Sequence, residues 1–241
     1  METTNDRASL AELRHQGDVY PEGGLMLLAA TPFFRSFAPV TLTYLTHLTN
    51  NSDTTNYSLG NVSVPRAGLL AYIVYGRGTG VGNSWSSSTI GGGSATRHAF
   101  TSNGRNPIAI FSREVSAGTH AVAAVCASAL NRAGADLWLI ENYRSTTPTS
   151  TDLTDGDASA SGSRSVTLSS IKRGGCGIYA GLNNQEVDAW SWSGATERFD
   201  AGTGEVRMSA ADKETASLLS SNVVSASFGS GFGCIAGASW R

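Results

Sequence analysis

The sequence predicts an all-β protein, an antiparallel sandwich or barrel, and three observations carry that expectation. Twenty-eight of the 241 residues are glycine and only 15% are charged, a composition of many turns and short strands rather than long helices. Apolar residues alternate with period two in several segments, Val40, Leu42 and Tyr44 among them. Turn residues then punctuate these runs at short intervals, giving about a dozen expected strands.

Residues 1–31 read as an arm outside the main domain, which is expected over 32–241. The first 18 or so are polar and suit a short amphipathic helix, with Leu10 and Leu13 on one face. Gly17, Pro21, Gly23 and Gly24 break any regular element, so the arm would be short-helical or extended. The segment reads either as a frayed terminus or as an assembly arm that orders against a neighbour, and Leu25, Leu27 and Leu28, too apolar to be left in water, speak for the arm.

From near Phe33 the strands follow in order. Val40, Leu42 and Tyr44 alternate with threonines, and Tyr57 to Val64 runs to a stop at Pro65. Leu69 to Tyr75 is continuously apolar, as a strand covered on both faces would be. Its exit, Gly76 to Gly82, superficially resembles a phosphate cradle, but no helical pattern follows and it reads as a loop. Ser86 to Ser94 is Ser/Gly-rich and is expected to be an exposed loop. Strands recur at Thr96 to Thr101, Pro107 to Val115, His120 to Ser128 and Ala135 to Tyr143, with Glu114 to His120 as a hairpin turn. A polar excursion over Ser145 to Ser163 follows, then strands near Val166 and over Gly174 to Leu182. Asp188 to Glu214 reads as a hairpin closed by Gly202 and Gly204, with Trp190 and Trp192 on one face. Ser217 to Phe228 and Phe232 to Trp240 close the chain, and no exact internal repeat is visible.

Charge and cysteine usage narrow the function classes. Seventeen basic against 19 acidic residues, with only Lys172 and Lys213 as lysines, create no field for nucleic acid or an anionic membrane. The first residues, METTNDRASLAELRHQ, lack the apolar segment of a secretory signal and are not expected to be one, and no apolar run reaches membrane-spanning length. Cys126, Cys176 and Cys234 are far apart, among small residues, and suit buried thiols in a reducing cytoplasm.

Candidate chemistry is sparse. The four histidines are scattered, and no nucleophile elbow, zinc-ligand spacing or P-loop occurs. No pair of carboxylates shares a context that would suggest glycoside hydrolysis. Asp152, Asp155 and Asp157 are the candidate Ca²⁺ ligands, although their spacing is not that of an EF-hand. Trp85, Trp190 and Trp192 are candidates for stacking on sugars, while core packing or a subunit interface is the more usual use of such rings. No cofactor and no enzymatic activity is expected.

Two blocks carry a resemblance. Val64-Pro65-Arg66-Ala67-Gly68-Leu69-Leu70-Ala71-Tyr72 running into Gly76-Arg77-Gly78 resembles a V-x-x-A-G-x-L-L strand and Gly turn found in virion proteins of tailed bacteriophages. Ala195 to Asp200 with Arg207 to Asp212 is similar to the TERxDxG…LSxADx hairpin of the same proteins. The chain departs from them in having Gly82-Asn83-Ser84-Trp85 where Pro-x-Gly-Trp is usual, and in its N-terminal arm. The resemblance implies a jelly-roll-like sandwich acting as a structural piece of the virion, a capsid decoration or tail-associated subunit. Its partners would be other virion proteins and identical subunits. The alternative from another class is a carbohydrate-binding module that recognises host-surface glycans.

Overall fold

The computed structural model describes residues 38–78, 80, 82–101, 104–154, 162–185, 189–229 and 231–241. The arm residues Leu10, Leu13, Leu25, Leu27 and Leu28, the expected domain start near Phe33, and Asp155 and Asp157 lie outside them. Every regular element among the described residues is a strand.

The expected sandwich is present twice. The first copy comprises β1 (Thr41–Asn50), β2 (Thr54–Val64), β3 (Gly68–Arg77), β4 (Trp85–Ile90), β5 (Gly93–Ser94), β6 (Thr96–Phe100), β7 (Ile108–Val115), β8 (Gly118–Leu130) and β9 (Arg132–Glu141). The second comprises β10 (Ser150–Thr154), β11 (Ser163–Leu168), β12 (Cys176–Asn183), β13 (Ser191–Ser193), β14 (Thr196–Gly202), β15 (Arg207–Glu214), β16 (Asn222–Ser227) and β17 (Gly233–Trp240). In the first copy β1-β9-β3-β7-β6 form the inner sheet and β2-β8-β4-β5 the outer one. In the second, β10-β17-β12-β15-β14 and β11-β16-β13 take the same places. All pairings are antiparallel, and the chain passes repeatedly between the two sheets of each copy. That is jelly-roll connectivity.

The duplication extends to register. Thr96 faces Ser112 across β6 and β7, then a bulge intervenes before Ala99 faces Ile110. A hundred positions later, Thr196 faces Asp212, and a bulge precedes the Phe199–Ala210 pair. The core faces agree as well. Leu69, Ala71, Ile73 and Tyr75 of β3 have counterparts in Cys176, Ile178, Ala180 and Leu182 of β12, and all eight lie in one central core.

That core joins the two inner sheets face to face. Each inner sheet buries its other side against its own outer sheet, around Trp85 and Tyr72 in the first copy and Trp190 and Tyr179 in the second. The result is four stacked β layers. This explains the continuous apolar run in β3, which is fully buried on both faces. β3 lies over β12, β7 over β17 and β6 over β10, so the two copies meet about a pseudo-two-fold axis between β3 and β12. At Gly134 an added Cβ would stand 2.6 Å from Met208 Sδ and 2.9 Å from the Tyr75 ring. A side chain there would have to push the Met208 thioether and the Tyr75 ring aside.

Three local expectations are corrected. Ser86 to Ser94 is not a loop but β4 and β5, because Trp85, Ser88 and Ile90 are buried. Ser88 Oγ accepts from the Tyr72 hydroxyl and donates to the Ala123 carbonyl at 2.5 Å, so a serine fits a core-facing position. Glu114 to His120 is not a hairpin turn, since β7 pairs within the inner sheet and β8 within the outer one. The segment is an arch between layers. The Asp188 to Glu214 hairpin is real only from β14 onward, with Thr203 N bonding Val206 O at 2.9 Å and Gly204 at φ +45°. The tryptophan strand before it crosses to the outer sheet through Gly194, at φ +88°.

Candidate functional site

The first polar constellation lies inside the central core. The register places His47 directly across from Asp136. A bulge after Tyr44 turns His47 onto the same inner face as Tyr44, although the two are three residues apart. Asp136, fully buried, accepts from Tyr44 Oη at 2.8 Å, from the Tyr75 hydroxyl and, at 3.0 Å, from His47 Nδ1. Burial, reinforced by the Asp136 charge, pushes both tyrosine hydroxyls well above their ordinary values. They stay neutral donors. The His47 ring stacks on Phe199 of the second copy at 3.9 Å between centroids. A second tie crosses the same interface, where Trp138 Nε1 donates to Asp212 Oδ2 at 3.1 Å and Arg198 holds the other oxygen at 2.9 Å. Both clusters join the two copies, with Asp136 and Asp212 buried and Arg198 reaching the surface.

The axis has two ends, and each carries an open cleft. At the ends of β3 and β12 a cleft of about 220 Å³ is lined by Arg77, Gly78, Arg105, Asn106, Asn131 and Asn184. Arg77 Nη1 bonds Glu205 Oε2 at 2.7 Å and the Glu205 carbonyl at 3.3 Å. That clamp holds Glu205 at φ +79°, a conformation uncommon for a residue with a side chain. The Arg105 guanidinium lies over the Phe232 ring at 5.6 Å. Asn106 is fully buried; its Nδ2 donates to the Phe232 carbonyl at 2.9 Å while its Oδ1 has no hydrogen-bond partner. Gly78 N donates to the Arg105 carbonyl at 2.9 Å.

The opposite end carries Arg144, Lys172, Arg173 and Arg241 around a second cleft. The first described residues are fastened beside it. Arg241 Nη1 donates to the Ala38 carbonyl at 3.2 Å and to Gly174 O at 2.9 Å, and Val40 N donates to Gly174 O at 2.8 Å.

The residues singled out from sequence do not converge. Trp85 is fully buried, with Nε1 donating to the Pro107 carbonyl at 3.0 Å, and Trp190 is 4% exposed against Phe228. Neither presents a ring face for a sugar; both take the core-packing alternative and fill the spaces between inner and outer sheets. Trp192 is partly buried, stacks on Trp190 at 5.6 Å and donates to Ser209 Oγ at 2.8 Å. Asp152 accepts from Leu153 N at 2.9 Å and Thr167 N at 2.6 Å, fastening β10 to β11. No group of three or more metal-ligating side chains gathers among the described residues. The three cysteines are free and buried, and burial raises the Cys126 thiol and pushes Cys176 to about 12.

Sequence reasoning missed the cleft at the β3 end. Its signal was the Gly76-Arg77-Gly78 exit together with a second arginine, Arg105, in another loop. Only the duplication brings Asn184 against them. No protein-family model matches the chain, and no curated protein matches it.

Proposed function

We propose that this chain is a non-enzymatic structural subunit of a tailed-bacteriophage virion. In this reading the paired jelly rolls form its exposed body, and residues 1–31 anchor it to the particle or to a sister subunit. Capsid decoration fits better than tail attachment, because the described residues form stacked sheets and no coiled-coil or collagen-like shaft occurs among them. The resemblance of the β2–β3 and β14–β15 segments to virion proteins supports the reading. Jelly rolls also serve as viral capsid domains, which is support by analogy of fold.

One observation carries the reading further. The two inner sheets cover each other and the outer sheets cover their remaining faces, so the described body keeps its apolar surface to itself. Among the described residues only Phe100, Leu218 and Val223 are large apolar side chains left exposed. Stable association ordinarily needs an apolar patch. The chain's unassigned apolar residues are those of the arm, Leu25, Leu27 and Leu28 above all. The carbohydrate-binding alternative, as built on Trp85 and Trp190, has lost its ring faces to the cores.

Deleting residues 1–30 tests this. The truncated protein is expected to stay folded and soluble yet fail to join purified particles. Full incorporation of the truncated chain would remove the anchoring role.

A further inference from the structure

We propose that β2 is an interaction edge, pairing antiparallel with β2 of a second copy of this chain to join two outer sheets into one. Among the described residues β2 has β8 on one side and no strand on the other. Tyr57, Leu59, Val62 and Val64 are buried, while Asn56, Ser58, Asn61 and Ser63 are exposed. Residues on one face of a strand aim their main-chain groups the same way. The Ser58 carbonyl accepts from Asn50 Nδ2 at 2.8 Å, outside the sheet, so the exposed-face residues aim theirs away from β8. The Asn56 amide has only Thr54 Oγ1, at 3.3 Å. No strand or side chain among the described residues meets the outward main-chain groups of Asn61 and Ser63.

The second jelly roll shows the same edge closed. β11 holds the corresponding place beside β16, and β10 caps it with three side chains. Thr154 Oγ1 donates to the Ser165 carbonyl at 3.0 Å, Thr167 N donates to Asp152 Oδ2 at 2.6 Å, and Ser169 N donates to Ser150 Oγ at 2.9 Å. β2 has the single Asn50 cap, and it contains no charged residue and no proline, the usual guards against edge pairing. A second copy is the fitting occupant because the strand is complementary to itself. Its bulge, between Ser58 and Gly60, lies at its middle. About a two-fold axis there, Ser58 faces Asn61 and Asn56 faces Ser63 of the other copy. The two bulges then oppose each other and the register is kept. Asp53 of one copy faces Arg66 of the other, so unlike charges meet at both ends; Arg66 is 67% exposed, with its Nε 3.1 Å from Glu141. A main-chain ladder needs no apolar patch, and its affinity is accordingly modest.

Sedimentation equilibrium of the full-length protein, up to about 1 mM, tests this without any particle and so independently of the virion reading. The average mass is expected to climb with concentration from that of one chain towards that of two. Ser58→Lys combined with Asn61→Lys sets like charges directly opposite each other across the two-fold. It should weaken association about tenfold or more and leave the unfolding midpoint in place, since both positions are exposed. Mixing it with the Ser58→Glu, Asn61→Glu protein should restore association, a result that no folding defect produces. If the lysine variant does not fold, the glutamate variant, weakened by the same factor, decides in its stead. A protein that stays monomeric throughout overturns the proposal. So does association that the deciding variant leaves unchanged, or that mixing of two folded variants fails to restore. Loss of association on deleting residues 1–30 would give the contact to the arm and overturn it as well.

Discussion

Trp85 and Trp190 occupy matching places in the two copies, immediately before or at the start of β4 and β13, and each fills the gap between an outer and an inner sheet. They differ in one atom's circumstances. Trp85 Nε1 has the Pro107 carbonyl, whereas Trp190 Nε1 is buried with no hydrogen-bond partner. Truncation to alanine at either site should cost about 3–5 kcal/mol, as for large buried aromatics generally. Replacement by phenylalanine separates them. Trp85→Phe gives up a hydrogen bond and should cost about 1 kcal/mol more than Trp190→Phe, which discards an orphaned donor. Urea denaturation of the four variants measures this, and an equal cost for the two phenylalanine variants would contradict it.

At the scale of elements, the paired bulges between β6 and β7 and between β14 and β15 show how one backbone device serves two chemistries. The bulge residue is His98 in the first copy and Arg198 in the second. His98 Nε2 meets Ser112 Oγ at 2.7 Å, while Arg198 meets Asp212 at the equivalent position. Burial raises the Asp212 carboxyl above 3.8, and the opposing pull of Arg198 and Trp138 does not cancel it. The folded protein therefore holds this proton to higher pH than the unfolded chain does. Its stabilising contribution is complete below the unfolded value and is lost as pH rises through the folded one. Asp212→Asn should flatten that part of the stability–pH curve, and Arg198→Ala should steepen it by removing the compensating charge. Thermal unfolding across the acid range reads both slopes.

On the scale of the whole molecule, the central core makes the two jelly rolls mutually dependent. Either copy alone would expose an inner sheet's apolar face, which in β3 includes Leu69, Ala71, Ile73 and Tyr75. The intact body should unfold in one cooperative transition, because loss of either inner sheet strips the other. A fragment of residues 38–145 should self-associate, placing a second copy of its own inner sheet where the β10–β17 sheet normally lies. Light scattering after size exclusion detects this, and a stable monomeric fragment would show that the copies are independent.

Strand character was legible from local pattern alone: period two in β1 and β2, the two-sided apolar run in β3, and the glycine loop joining β14 to β15. These depend on side-chain alternation and turn chemistry, which act over a few residues. The duplication left only faint marks, chiefly Ala95-Thr96 against Ala195-Thr196 a hundred positions later. Packing demands apolar volume at a position rather than a given residue, so Ile73 and Ala180, or Ile140 and Trp240, can fill corresponding places. The same tolerance hid Ser88 as a core residue and left Trp85 open to being taken for a surface ring. The sequence by itself thus determined the strands with a clear apolar pattern and the turn joining β14 to β15, because those choices are local, but not β4, β5 and β10 in their Ser/Thr-rich segments or the arch between β7 and β8. Layering, the pseudo-two-fold, the burial of the tryptophans and the arginine–asparagine cleft were decided only by tertiary structure, because each depends on residues far apart in the chain meeting across sheets.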